Sequence, residues 1–80
     1  MIIAKVNTQS DWTLMVTTAD GRVGWFDVRP YLAYEAFGAL KDAAEFMKIS
    51  NGGYFVEWQC GADLSADTIE ARMSVISDKQ

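Results

Sequence analysis

The 80-residue chain contains no histidine, a single cysteine and a single proline. Without histidine, Ser-His-Asp and Cys-His nucleophiles, His-ligated zinc and a histidine pH switch are all excluded. One thiol cannot form an internal disulfide or a cysteine-cluster metal site. The chain therefore lacks the residues on which many catalytic and metal-binding sites are built.

Basic side chains and long apolar runs are also scarce. Seven Lys and Arg stand against eleven Asp and Glu, which gives a net charge of −4. This balance argues against direct nucleic-acid binding, because such binding needs clustered basic side chains. No apolar run approaches the roughly 18 residues of a membrane span, and the N-terminus does not resemble a signal peptide. With one free thiol, we expect a cytoplasmic protein that contacts no membrane.

Apolar and aromatic residues are abundant. Half of the chain is apolar, and it contains three Trp, three Tyr and four Phe. This length and composition predict one folded domain over residues 1–80 with a small core, and a frayed tail at 77–80. The aromatic residues are either packed tightly in that core or partly used at an interface with another chain.

The clearest local signal is Asp20-Gly21 between two segments rich in β-branched and aromatic residues, 12–18 and 22–28. This pattern predicts a β-hairpin, and a two-residue Asp-Gly loop suits a type I′ turn. In that register Met15 faces Phe26.

The predicted register leaves apolar side chains on both faces of the sheet. Met15 shares one face with Phe26 and Val28, while Leu14 and Val16 share the other with Trp25. In a sheet with one solvent-exposed face, apolar and polar residues alternate more regularly along each strand than they do here. We therefore expect helices to pack on one face and another protein chain to cover the other.

The remaining segments complete an α+β pattern. Arg29-Pro30 ends the third strand, because proline cannot extend the ladder. Ser65 is suited to cap a final helix. The elements predict an antiparallel sheet of about four strands with helices on one face. They are a strand over 2–6 with its turn at 7–11, the hairpin, a short irregular or helical turn at 31–37, a helix at about 42–48 (or one helix over 31–48), a strand at about 54–58 and a helix at about 65–76.

Three carboxylates, Asp27, Glu57 and Asp63, are the candidates for acid–base chemistry. Paired carboxylates can cleave glycosidic bonds, but a domain of this size has little room for a substrate cleft. The alternation of Asp63, Ser65 and Asp67 is better explained by helix capping than by a cation loop. We expect no enzyme, no cofactor and no metal, and a small hydrolase using Glu57 and Asp63 stays an alternative.

The aromatic residues are the strongest functional indication, because Trp and Tyr concentrate at interface hot spots. We expect the partner to be another protein chain, either a second copy in a homodimer or a small partner protein. The predicted interaction surface contains Trp12, Met15, Phe26, Val28, Tyr31, Tyr34 and Trp58.

Several motifs along the chain resemble those of a small bacterial family, domain of unknown function 2442. They are Asp20-Gly21, Val23-x-Trp25-Phe26-Asp27-Val28-Arg29-Pro30, Leu40-Lys41-Asp42, Glu57-Trp58 and Gly61-Ala62-Asp63-Leu64-Ser65-x-Asp67-Thr68-Ile69. Cys60, Ala66 and Glu70 depart from the usual pattern. The resemblance implies an α+β domain with an N-terminal meander. It also implies a partner encoded in a gene pair of toxin–antitoxin type, and it carries over no catalytic residues.

These observations predict a non-enzymatic protein–protein interaction module, antitoxin-like or regulatory. An alternative is an inhibitor encoded by a mobile element that acts by binding or by acidic mimicry of nucleic acid. The charge of −4 is low for mimicry, which favours denser acidic surfaces.

Overall fold

The computed structural model describes residues 1–77 and shows two antiparallel sheets linked by short helical segments. The larger sheet has the strand order β1-β2-β3-β7, and the smaller has the order β4-β5-β6. The strands are β1 (Ile3–Thr8), β2 (Thr13–Thr18), β3 (Val23–Asp27), β4 (Ile49–Asn51), β5 (Phe55–Trp58), β6 (Asp63–Ser65) and β7 (Ser74–Ser77). The helices are two 3₁₀ helices (Arg29–Ala33 and Glu35–Lys41), α1 (Ala43–Phe46) and α2 (Ala66–Arg72).

The predicted α+β class and the four-stranded antiparallel sheet are confirmed, but the fourth strand is not the expected one. The predicted strand at 54–58 forms β5 of the smaller sheet, while β7 pairs with β3 in the larger. Of the predicted tail at 77–80, only Ser77 lies among the described residues, where it ends β7.

The predicted β2–β3 hairpin is present, but its register differs by one residue. Leu14 pairs with Phe26 and Met15 with Trp25, so Met15 does not face Phe26. The loop has three residues rather than two, because Gly21 takes a positive φ of 95° while Asp20 does not. The Gly21 amide donates to the Thr18 carbonyl across 3.0 Å, which closes the turn. One added loop residue exchanges the faces of every β3 side chain.

The segment between the sheets is a series of short helices and not a single helix over 31–48. Pro30 lies in the first turn of the first 3₁₀ helix. A backbone N–H at that position has no acceptor within the helix, so the missing N–H of proline costs no hydrogen bond. The Asp42 carboxylate accepts the Ala44 amide at 3.0 Å and starts α1. The predicted helix at 42–48 therefore begins near its predicted start but spans only four residues.

The last helix is shorter than predicted and is followed by a strand. The Ser65 hydroxyl accepts the Thr68 amide at 3.1 Å, as expected for the N-cap, and α2 ends at Arg72 rather than 76. Pairing β7 with β3 satisfies an edge that would otherwise lie open. Gly24 permits this pairing, since a Cβ there would lie only 2.8 Å from the Ser74 carbonyl oxygen.

Both sheets contribute side chains to one core. The Ile3 amide donates to the Gly53 carbonyl at 2.8 Å, and the Asn51 side-chain amide donates to the Ile3 carbonyl at 2.9 Å, which ties β1 to the smaller sheet. The buried apolar residues are Ile3, Leu14, Val16, Phe26, Val28, Phe37, Leu40, Phe46, Val56, Trp58, Ala62, Leu64, Ala66 and Ile69. Within residues 1–77, no helix has the length and apolar character to cross a membrane.

Truncating the buried Phe26 ring should destabilise the fold. Phe26 is 1 % exposed and stacks on Tyr31 at 5.7 Å between ring centroids. We expect Phe26→Ala to lower the free energy of unfolding by about 3 kcal/mol, measured by urea denaturation. Tyr34 also contacts Tyr31, at 6.2 Å, but is 61 % exposed, so Tyr34→Ala is the matched control, with a change within about 0.5 kcal/mol. Equal losses in the two variants would contradict the placement of Phe26 in the core.

Adding one methyl group at Gly24 should dislodge β7. The new Cβ would lie 2.8 Å from the Ser74 carbonyl oxygen and 3.0 Å from the Met73 Cε. We expect Gly24→Ala to cost about 2 kcal/mol by urea denaturation. Gly38→Ala is the control, because a Cβ at Gly38 meets nothing within 4 Å and so should change stability by less than about 1 kcal/mol. An unchanged Gly24→Ala protein would show that β7 does not pack this closely on β3.

Candidate interaction surface

The loop between β1 and β2 holds a tryptophan in an unusual backbone conformation. The Gln9 amide donates to the Thr13 carbonyl at 2.8 Å and closes a four-residue loop that ends at Trp12. Trp12 has a φ of 62°, the one positive φ of a non-glycine residue within 1–77. Bulky side chains rarely take this conformation, which costs of order 1–3 kcal/mol and is retained only where the surroundings enforce it.

Two hydrogen bonds enforce the conformation of Trp12. Its carbonyl oxygen accepts the Val28 amide at 2.9 Å, and its indole Nε1 donates to the Leu40 carbonyl at 2.6 Å. The ring lies beside Phe46, with 6.4 Å between the centroids. Trp12 is thus held from both sides, by the residue that follows β3 and by the second 3₁₀ helix.

An apolar groove of about 230 Å³ lies along the Trp12 side chain. One wall comes from the end of β1 and its loop, and the other from α1. Met47 stands at the groove and is 68 % exposed, whereas the adjacent Phe46 is buried. The groove is lined by Thr8, Gln9, Ser10, Trp12, Ala43, Phe46 and Met47. Exposed apolar side chains in a concave site are what an apolar anchor of another molecule would contact.

The outer face of the larger sheet, which we call the open face, is a second surface. Met15, Val23 and Trp25 form its apolar centre, are half-buried and do not belong to the core. The pairs Met15–Trp25, Thr17–Val23 and Thr13–Asp27 place these side chains on one face of the sheet. A shallow depression of about 380 Å³ beside Trp25 is lined by Gln9, Ser10, Asp11, Thr13 and Trp25. The β1–β2 loop therefore separates the Trp12 groove from the open face.

Three members of the predicted interaction surface are in the core instead. Phe26, Val28 and Trp58 are each at most 1 % exposed. The one-residue register shift turns Phe26 inward, and Val28 follows it on the same side. Trp58 stacks on Phe46 at 6.0 Å and donates its Nε1 to the Phe46 carbonyl at 2.8 Å. These three side chains cannot contact a partner in the folded protein.

The other four predicted residues do not form a single patch. Trp12 lines the groove, and Met15 lies on the open face. Tyr31 is half-buried between Phe26 and Phe37, whereas Tyr34 is well exposed. Trp25 and Met47 were missing from the predicted surface. No local signal could have found Trp25, because Asp20-Gly21 suits both a two-residue and a three-residue loop and only the second gives the observed register.

The structure makes Glu57 and Asp63 neighbours and leaves the third candidate carboxylate, Asp27, apart on the larger sheet. Asp27 on the larger sheet accepts two hydrogen bonds of 3.0 Å from the Arg29 guanidinium. Glu57 and Asp63 pair directly across β5 and β6 and are exposed to solvent. Among residues 1–77 no group of three His, Cys, Asp or Glu side chains could hold a metal ion. The exposed Cys60 lies in the turn before β6.

A family model described as "Protein of unknown function (DUF2442)" matches residues 3–73. The chain belongs to this family. The DUF2442 match confirms the resemblance carried by the sequence motifs. It includes every residue of the Trp12 groove and the apolar centre of the open face, and it ends one residue before β7. No curated protein and no solved structure matches the chain.

The Asp27–Arg29 pair should make stability depend on pH. Hydrogen bonds from the Arg29 side chain lower the pKa of the Asp27 carboxyl below its ordinary value. As the pH falls, the Asp27 carboxyl of the unfolded chain therefore binds a proton before that of the folded chain does. The stability that the Asp27–Arg29 pair contributes is complete above about pH 5 and is lost progressively as the pH falls to about pH 2. The Asp27 side chain is 43 % exposed, and solvent screening limits the effect to less than about 1 kcal/mol.

We expect Asp27→Asn to reduce the loss of stability between about pH 5 and pH 2, measured as urea midpoints. Arg29→Gln should reduce it to a similar extent, because it removes the donor that lowers the Asp27 pKa. Combining the two substitutions should add little, since they break the same interaction. An acid-induced loss that is unchanged in both single variants would contradict the coupling.

Proposed function

We propose that this protein is a non-enzymatic interaction module, antitoxin-like or regulatory, that binds a small partner protein or a second copy of itself. The observation that carries the proposal is the apolar groove held open around Trp12. A partner side chain of the size of Leu or Phe would fill the groove between Trp12 and Met47. The antitoxin-like role is supported by the resemblance to families encoded in gene pairs.

The groove has the features of a preformed binding site. Trp12 is fixed at its carbonyl and at its indole nitrogen, and Phe46 is buried behind it. Binding to a site that is already ordered costs little side-chain entropy. Met47 supplies a flexible apolar surface at the groove, and such side chains adapt to the shape of a partner. The strain at Trp12 is retained by a fold that encloses it on two sides.

The charge distribution favours a protein partner over mimicry of nucleic acid. Asp20, Asp27, Glu45 and Glu70 each form an ion pair with Arg or Lys of the same chain. These contacts neutralise part of the acidic charge locally, whereas mimicry needs a dense acidic face. Glu57 and Asp63 lie on an exposed sheet surface where water reaches both carboxylates.

Placing a charge at the groove should abolish partner binding and leave the fold intact. Met47 is 68 % exposed, so Met47→Arg should not unfold the chain. We expect at least about a tenfold loss of affinity for the product of the adjacent gene, measured by titration calorimetry, because an arginine cannot be buried against Trp12 without a partner charge. Tyr54→Arg is the control, since Tyr54 is 70 % exposed and does not line the groove.

The outcome is decided by the difference between the two variants. Unchanged affinity in Met47→Arg, or equal losses in both variants, would contradict a partner site at the groove. Absence of binding by the unmodified protein would contradict the antitoxin-like role.

A further inference from the structure

The open face offers a self-complementary arrangement of apolar and charged side chains. Its centre is formed by Met15, Val23 and Trp25. Within residues 1–77, none of these three side chains belongs to the core or packs against it. Lys5 lies at one corner, on β1 opposite Thr17. Asp27 lies at the diagonally opposite corner, on β3 opposite Thr13. The strand register therefore places a positive charge at one corner of the open face and a negative charge at the opposite corner, with the apolar centre between them.

The two corners differ in net charge. Lys5 is exposed, and within residues 1–77 it forms no ion pair. The other corner holds Asp27, its partner Arg29 and Asp11, whose carboxylate accepts the Thr13 hydroxyl at 2.7 Å. Two carboxylates against one guanidinium leave one negative charge there. The positive corner of one molecule is thus complementary to the negative corner of another.

We infer that the open face packs on the open face of a second copy, about a two-fold axis near Met15. The strand pairing arranges the residues of the open face in rows across β1, β2 and β3. Met15 lies in the middle row, halfway along the diagonal from Lys5 to Asp27. A two-fold rotation about an axis lying in the interface exchanges these corners, so that Lys5 of each molecule meets Asp27 of the other. An isologous contact of this kind satisfies both charge pairs at once.

The same rotation brings the apolar centres together. Trp25 of one copy lies across Thr17 and Val23 of the second, and the two Met15 side chains meet at the axis. The strands of the two sheets then cross steeply, as in orthogonal sheet packing. With strands about 4.8 Å apart and about 3.3 Å per residue, the face measures roughly 15 Å in each direction. Two faces of this size bury roughly 450 Å² between them, which is well below the roughly 1,200 Å² at which standard interfaces begin, so the dimer is weak and forms only at high concentration.

This inference rests on the proposed function only in treating the chain as an interaction module, because it uses a different surface from the Trp12 groove. Sedimentation equilibrium of the full chain from about 10 μM to about 1 mM should show a reversible monomer–dimer equilibrium. Met15→Arg should give a monomer throughout, because two guanidinium groups would meet at the axis. Tyr54→Arg is the matched control and should dimerise as the unmodified chain does, because Tyr54 is 70 % exposed and belongs to neither the groove nor the open face.

A charge exchange tests the orientation of the two copies. Lys5→Glu alone and Asp27→Lys alone should each weaken the dimer at least about tenfold, because like charges then meet at both corners. Mixing the two variants should restore association. The carboxylate introduced at position 5 of one variant would then meet the ammonium group introduced at position 27 of the other, and the unmodified Lys5 and Asp27 would meet at the second corner. Circular dichroism of each variant checks that the fold is retained.

A monomeric unmodified chain at about 1 mM would overturn the inference, and so would a dimer that survives Met15→Arg. A mixture of the charge variants that stays monomeric would overturn the proposed axis. None of these results affects the binding of a small partner protein at the groove. A monomer that still binds its partner through Met47 would contradict only the dimer, and a dimer whose partner affinity is unchanged by Met47→Arg would contradict only the groove.

Discussion

The left-handed backbone of Gly21 decides which side chains lie inside this protein. It ends a three-residue loop and thereby places Phe26 opposite Leu14. Thr18 stabilises that turn from a buried position, because its hydroxyl accepts the Arg22 amide at 3.0 Å. A loop shorter by one residue would turn Trp25 inward and Phe26 outward. The core and the open face are therefore two consequences of the same turn.

Two tryptophans stabilise the irregular segment between the sheets. The last carbonyl groups of a helix have no partner within it, and short helices have few others. The indole of Trp12 donates to the Leu40 carbonyl near the end of the second 3₁₀ helix, and the indole of Trp58 donates to the Phe46 carbonyl at the end of α1. Each ring also packs on Phe46. The apolar periodicity alone would suggest one longer helix here. The short helices are stabilised instead by these indole hydrogen bonds and by aromatic packing on Phe46.

Local signals in the sequence predicted much of the fold. Ser65 acts within a few residues and caps α2 as predicted, and Pro30 lies just after the end of β3, as predicted for the end of the third strand. The β2–β3 hairpin was predicted for the same reason, from the propensities of its strands. What the sequence could not show was the choice between turn types that differ by one residue, since Asp-Gly suits both.

The C-terminal strand and the interaction surface depend on contacts between distant residues. Ile69 and Met73 continue an apolar helical pattern, but an open edge of β3 and the absence of a side chain at Gly24 make a strand more favourable after Arg72. The Trp12 groove needs α1 to approach the end of β1, which no local pattern encodes. Trp12 was identified from its residue type alone, and its backbone conformation was visible only in three dimensions.

The two surfaces on either side of the β1–β2 loop differ in how they can bind. The groove is concave, and the hydrogen bonds of Trp12 to Val28 and Leu40 keep it ordered before any partner arrives. Affinity at the proposed groove site would come from filling a preformed site, so substitutions there should act mainly on the dissociation rate. The open face is flatter, and its charges lie at the corners. Such charges align two molecules and speed their encounter, and salt should weaken them more than it weakens contacts in the groove.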